Sequence, residues 1–166
     1  MTLSNQAGDP KVLWKTRLLR RLIPVAGLFR RAMTIGVRLA VRDEAGRILL
    51  VRHTYLQGWY LPGGGVDAGE AIPEAAEREL LEEAGLRATA PLELFALYHN
   101  PRGSRRDHVA LYRVIAWEPT SAALTANREI AEARFFEAAA LPDDVTPSTR
   151  RRLRELAGEE APARLW

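Results

Sequence analysis

Cysteine is absent from the 166 residues, which rules out a disulfide framework, thiolate metal ligation and catalysis by a thiol. No apolar run reaches the roughly 18 residues that a membrane-spanning helix requires. The N-terminus also lacks the short apolar core and small-residue cleavage site of a secretory signal, so a cytoplasmic protein is expected. Histidine occurs three times, at His53, His99 and His108, never at metal-ligand spacing, and each reads as a surface or hydrogen-bonded residue. No Gly-Lys-Ser/Thr follows the glycines at 63–65, which excludes a Walker-type phosphate loop. Basic residues crowd one stretch: residues 11–31 hold seven Lys or Arg and no Asp or Glu. Residues 32–166 then carry 17 bases against 20 acids, so the formal net charge of +3 does not describe a cationic surface made for a nucleic acid polymer.

A hydrophobic content of 47% in a chain of this length suits one globular domain with a sizeable core. Residues 1–10 read as a loose tail, and Trp14, Leu18 and Leu22 recur at helical spacing before Pro24 stops the pattern. This basic amphipathic helix marks residues 1–31 as an N-terminal extension and a candidate homodimer arm, with the main domain spanning 32–160. Strands are expected over Thr34–Val41 and 47–53, joined as a hairpin through the turn residues Asp43 and Gly46. A helix is expected over 73–84, with Pro73 in its first turn and Gly85 as its left-handed stop. Further strands are expected over 92–98, 109–117 and 133–136, and a closing helix over 147–156. The order implies an α+β domain in layers.

On the central helix Glu79, Glu82 and Glu83 stand at i, i+3 and i+4, which places three carboxylates within about 100° of arc. Two carboxylates 4 Å apart near a surface repel by roughly 4 kcal/mol at an effective dielectric near 20, so such a cluster calls for a cation. Arg78 supplies part of that charge. Oxygen donors alone favour a hard ion, Mg²⁺ or Mn²⁺, which keeps waters and takes phosphate oxygens into its shell. Taken by itself, the acidic helix also reads as a solvated face.

The wider pattern decides between these readings. Gly64, five residues, Glu70, seven residues, Arg78-Glu79-Leu80, one residue, Glu82-Glu83, one residue and Gly85-Leu86 resemble, at every defined position, the box of the Nudix family of MutT-like hydrolases. Seven fixed residues match by chance with a probability below about 10⁻⁸ per start position. The lead-in Gly58-Trp59-Tyr60-Leu61-Pro62-Gly63 is similar to the family's as well.

The resemblance implies an α/β/α sandwich with a mixed central sheet. It also implies Mg²⁺-dependent (or Mn²⁺-dependent) hydrolysis of a phosphoanhydride in a nucleoside diphosphate linked to another group. It assigns the metal to Glu79, Glu82 and Glu83 with the backbone carbonyl of Gly63, and keeps Glu79 open as ligand or base. Arg78 orients a glutamate, and Glu70 braces the loop, with Gly64 and Gly85 as structural members of the box. Glu129, in Asn127-Arg128-Glu129-Ile130, resembles the place where relatives put a further ligand or base; Asp107 is a weaker candidate. Arg102, Arg105 and Arg106 are candidate phosphate contacts in the 100–107 loop. Pro101 lies fifteen residues beyond Leu86, a spacing similar to some ADP-ribose pyrophosphatases, while nucleoside triphosphates and dinucleoside polyphosphates stay open as substrates. A binding module that holds a nucleotide without cutting it is the competing reading, and the complete set of box glutamates favours the enzyme.

Overall fold

A computed structural model describes residues 33–166; the basic helix expected over 12–23 lies outside the described residues. Strand β2 (Ile48–His53) is buried almost throughout, and β1 (Thr34–Val41) and β5 (Asp107–Val114) are buried over most of their later residues, because apolar residues there fill both faces. Successive side chains point to opposite sides of a strand. Val37, Leu39 and Val41 of β1, Leu49 and Val51 of β2, and Ala110, Tyr112 and Val114 of β5 thus enter one core. Ala40, Ile48, Leu50 and Leu111 enter the other. Helix α1 (Ile72–Ala84) covers the first core with Ala75, Ala76, Leu80 and Ala84, and α2 (Pro147–Leu156) covers the second with Leu153 and Leu156. The result is the expected α/β/α layering.

The sheet is mixed. β1 runs parallel to β5 from the pair Thr34–Asp107 to Val41–Val114, and β4 (Glu93–His99) runs antiparallel to β5 from Glu93–Arg113 to His99–His108. β2 pairs antiparallel with β7 (Ile130–Phe136), and the short β3 (Leu86–Ala88) with β6 (Trp117–Pro119). A 3-10 turn at Ala138–Ala140 follows β7.

Two expectations need correction. The turn between β1 and β2 exists, with Gly46 N–H donating to the Asp43 carbonyl at 2.9 Å and Gly46 at φ 78°. It does not open into a hairpin: Arg42–Ile48 is the bridge that joins the two strands. The edge of β1 is taken instead by the glycine loop, whose Gly64 and Pro62 carbonyls accept from Val37 N–H at 2.8 Å and Leu39 N–H at 2.9 Å. Tyr60 in turn pairs with Val51 of β2. The loop is thereby wedged between the strands that carry the site. The single strand expected over 109–117 is also divided, since the chain leaves the sheet after Val114, exposes Ile115, and returns as β6 against β3.

Helix α1 begins and ends as its residues dictate. Ala71 N–H donates to the Glu74 carboxylate at 3.1 Å, Pro73 sits in the first turn, and Gly85 at φ 65° ends the helix with its N–H on the Leu81 carbonyl. After α2 the C-terminal segment returns to β4, where His99 N–H donates to Arg164 and Trp166 N–H to His99, both at 3.0 Å.

Candidate active site

Helix α1 turns Glu79 and Glu83 inward, on the same side as Ala76, Leu80 and Ala84, while Glu82 stays largely in solvent. Two buried carboxylates on the core side of a helix are costly unless they are held. Glu83 accepts from Gly63 N–H at 2.6 Å, and Glu79 from Nη1 of Arg78 at 2.7 Å. Burial pushes the Glu83 carboxyl up to about 7, against the downward pull of the Gly63 N–H and of Arg38. Burial also raises Glu79, and Arg78 opposes the shift.

Arg78 is fully engaged. Its Nε and Nη2 grip the two Glu70 oxygens at 2.8 and 3.0 Å, Nη1 reaches Glu79 and Glu82, and Nη2 also reaches the Gly65 carbonyl at 2.9 Å. These five bonds use all five guanidinium N–H groups. The bidentate contact holds the Glu70 carboxyl at about 2, well below its ordinary value. Glu70 also accepts from Asp67 N–H, so it ties the loop to the helix.

Close approach explains the glycines. A Cβ on Gly64 would lie 2.5 Å from Glu79 Oε1, and one on Gly63, at φ 134°, would strike the Val37 carbonyl. Across from the helix, Asn127 caps the Glu82 carbonyl with its side-chain amide at 2.9 Å and accepts from the N–H groups of Glu129 and Ile130. Arg78, Glu79, Glu82 and Glu83 thus face Asn127, Arg128, Glu129 and Ile130 across a cleft of about 530 Å³.

Of the sequence-derived candidates, Glu79, Glu82, Glu83, Arg78 and Glu129 share this cleft, and Gly63 and Gly64 back it. Arg102, Arg105 and Arg106 stand on the exposed β4–β5 turn and are not among the residues lining it. Asp107 is occupied by Thr34 and Asn100 at 2.7 Å each. The Gly63 carbonyl accepts a hydrogen bond from Nη1 of Arg38.

Arg38 and His53 are the site residues that sequence reasoning missed. His53 is only 6% exposed rather than a surface residue, has both ring nitrogens without a hydrogen-bond partner, and places Nδ1 3.7 Å from Glu83 Oε1. Burial, then Arg38, lowers its basicity. The signal was present: His53 continues the inward series Leu49, Val51. For Arg38 no local signal exists, because its partners Leu61 and Gly63 arrive with the loop.

Carboxylates dominate this cleft. Glu79, Glu83, Glu82 and Glu129 converge on one cleft, and the two buried members are raised by desolvation. Among the described residues no three His, Cys, Asp or Glu side chains stand close enough together to hold a metal ion. The fit to a hard ion rests on the chemistry of the donors: carboxylate oxygens suit magnesium, which needs few protein ligands and retains waters. Among the described residues, too, no helix is long and apolar enough to cross a membrane.

Comparison with known proteins agrees with this geometry. The family model described as the NUDIX domain matches residues 32–156. A Bacillus subtilis (strain 168) protein named provisionally as an 8-oxo-dGTP diphosphatase is 30% identical over 122 residues, covering 74% of this chain and 78% of its own. An RNA pyrophosphohydrolase of Novosphingobium aromaticivorans is 34% identical over 147 residues, covering 75% and 89%. The crystal structure of a MutT NUDIX hydrolase from Burkholderia pseudomallei superposes with a TM-score of 0.63 at 24% identity, over 76% of this chain and 99% of that one. With its box complete and its glutamates gathered on one cleft, the chain belongs to the Nudix family of hydrolases, enzymes that act on phosphoanhydrides.

Proposed function

We propose that the cleft hydrolyses a phosphoanhydride bond in a nucleoside diphosphate linked to a further group, which takes in nucleoside triphosphates, ADP-ribose and nucleotide sugars, with Mg²⁺ or Mn²⁺ as cofactor. The observation that carries this reading is the buried pair Glu79 and Glu83, of which only Glu79 bonds to an arginine, both open to the same cleft as Glu82 and Glu129. Glu79, Glu82 and Glu83 would hold the metal, with Glu129 either a further ligand or the base. When bound, the ion offsets the charge of adjacent phosphates and favours deprotonation of a water.

The chain's own residues supply the remainder. Arg78 fixes the Glu79 carboxylate and, having no donor left over, acts by position and not by touching substrate. Gly63 N–H sets the Glu83 carboxylate, and the Asn127 side chain holds the backbone of Glu129 opposite the helix. Of the carboxylates in the cleft, Glu129 lies across from the helix glutamates and is free to accept the proton from an attacking water, with Glu79 as the other candidate base. The products are a nucleoside monophosphate and either a phosphorylated group or pyrophosphate.

The test is formation of a nucleoside monophosphate, followed by chromatography, from nucleoside triphosphates (8-oxo-dGTP among them), ADP-ribose, nucleotide sugars and dinucleoside polyphosphates, each with Mg²⁺ and with chelator. Turnover is expected with metal alone, and Glu83→Gln is expected to lower kcat by roughly 100-fold or more. Binding without turnover, or an unaffected Glu83→Gln protein, refutes the proposal in favour of a non-catalytic nucleotide-binding module.

A further inference from the structure

Four carboxylates face the glutamate cleft, from Glu79, Glu82, Glu83 and Glu129, and two arginines line it, Arg78 and Arg128. Arg78 has no N–H group left for a ligand, because all are spent on Glu70, Glu79, Glu82 and the Gly65 carbonyl. Arg102, Arg105 and Arg106 lie outside the lining. A diphosphate entering this cleft meets repulsion from the carboxylates, which a dication offsets only in part. Within the lining, Arg128 is the guanidinium with donors to spare.

The backbone of Arg128 is built into the wall. It stands in the loop Asn127-Arg128-Glu129-Ile130, which is closed by Asn127 N–H donating to the Ile130 carbonyl at 2.8 Å and by the N–H groups of Glu129 and Ile130 donating to the Asn127 side-chain oxygen at 2.9 and 2.8 Å. The loop is pinned from both sides. Asn127 Nδ2 donates to the Glu82 carbonyl at 2.9 Å, which fixes it to α1. Thr54, just beyond β2, donates its hydroxyl to the Arg128 carbonyl at 3.0 Å and its N–H to the Glu129 carbonyl at 2.8 Å. The side chain of Arg128 is exposed by contrast, and among the described residues it makes no hydrogen bond and no ion pair. Arg134, six residues on in β7, differs: it pairs with Glu132 at 3.6 Å, lies over the Phe136 ring at 4.5 Å and is not in the lining. An uncommitted guanidinium on a fixed backbone presents a planar fork that matches two oxygens of a phosphate.

We propose that Arg128 grips a phosphate of the substrate across the cleft from the helix glutamates, its fork taking two non-bridging oxygens. This rests on the phosphoanhydride reading above and adds to it the residue that recognises the diphosphate itself. A solvated rim charge and a phosphate clamp predict different responses. The first acts through its field, which salt screens and any cation at that place restores. The second depends on the shape of the fork and belongs to this position alone.

The experiment compares wild type, Arg128→Met, Arg128→Lys and Arg134→Met. Binding of methylenediphosphonate, a diphosphate that cannot be hydrolysed, is followed by calorimetry in Mg²⁺, at low salt and again at about 0.5 M salt. A charge-assisted contact is worth roughly 10- to 100-fold in affinity, toward the low end where water reaches it. Arg128→Met is therefore expected to bind about tenfold more weakly than wild type at either salt concentration, with Arg128→Lys between the two and Arg134→Met equal to wild type. Thermal unfolding of Arg128→Met should stay within roughly 2 °C of wild type, since its side chain supports nothing in the fold. Unchanged affinity in Arg128→Met, a loss that vanishes at high salt, full affinity in Arg128→Lys or an equal loss in Arg134→Met overturns the clamp and leaves the hydrolase reading standing. If wild type binds no methylenediphosphonate in Mg²⁺, the phosphoanhydride reading itself fails, and the clamp with it.

Discussion

Replacing Gly64 with alanine separates the positioning of Glu79 from every other property of the loop. The new Cβ would lie 2.5 Å from Glu79 Oε1, 2.8 Å from its Cδ and 2.9 Å from Oε2. Gly64 is not among the glycines with positive φ, so alanine suits its backbone, and the Gly64 carbonyl is held by Val37 N–H at 2.8 Å. The carboxylate must therefore move, and its 2.7 Å bond to Arg78 is lost. A charge-assisted hydrogen bond contributes about 1.5–3 kcal/mol, so displacing the carboxylate is expected to weaken Mn²⁺ binding roughly 10- to 100-fold. Because the displaced atoms are the tip of a side chain, overpacking adds only about 1 kcal/mol to the loss of that bond, so stability falls by about 2–4 kcal/mol, or roughly 5–15 °C in Tm. Gly65 supplies the control, since nothing lies within 4 Å of a Cβ placed there. Paramagnetic resonance titration and thermal unfolding of Gly64→Ala and Gly65→Ala would be measured side by side. Wild-type Mn²⁺ affinity in Gly64→Ala, or an equal loss in Gly65→Ala, refutes this account of the loop.

Three other perturbations follow from the structure. The carboxyl of Glu70 titrates at about 2 in the folded protein, below its ordinary 4.5, so its contribution to stability is complete above pH 4.5 and disappears as the pH falls toward 2. Urea unfolding of wild type and Glu70→Gln should differ by a constant amount from neutrality to pH 5 and converge toward pH 2; a gap that does not close contradicts the assignment. Arg152 is fully buried and donates to Glu155 at 2.6 Å, and Glu155 also accepts from the Tyr98 hydroxyl at 2.7 Å. Arg152→Met strands the Glu155 carboxylate and should cost about 3–5 kcal/mol by denaturant unfolding, an effect absent if the pair were dispensable. Asn127→Ala removes the bonds to Glu82, Glu129 and Ile130, and is expected to cost about 1–3 kcal/mol and to raise the metal concentration needed for half-maximal turnover; an unchanged metal requirement would mean that Glu129 needs no such support.

Residues close together in the chain already determined the central helix and its chemistry. Pro73, the i, i+3, i+4 glutamates and Gly85 specify where α1 starts, which side carries charge and where it stops, because capping and helical periodicity act over a few residues. Short apolar runs likewise specified β1, β2 and β5, and the two-residue period of a strand would have placed His53 indoors had the series Leu49, Val51 been continued. Pairing was decided elsewhere. The Asp43–Gly46 turn alone implies a hairpin, but the glycine loop competes for the edge of β1 and wins with three backbone hydrogen bonds, so β1 joins β5 and β2 joins β7. Arg38 illustrates the same division: in the chain it is a polar residue in an apolar strand, and only the arrival of Leu61 and Gly63, more than twenty residues later, gives its guanidinium partners. Local backbone preferences are readable in order along the chain, whereas the partners of a strand edge or a guanidinium depend on which distant carbonyl reaches it first, and that is settled by packing.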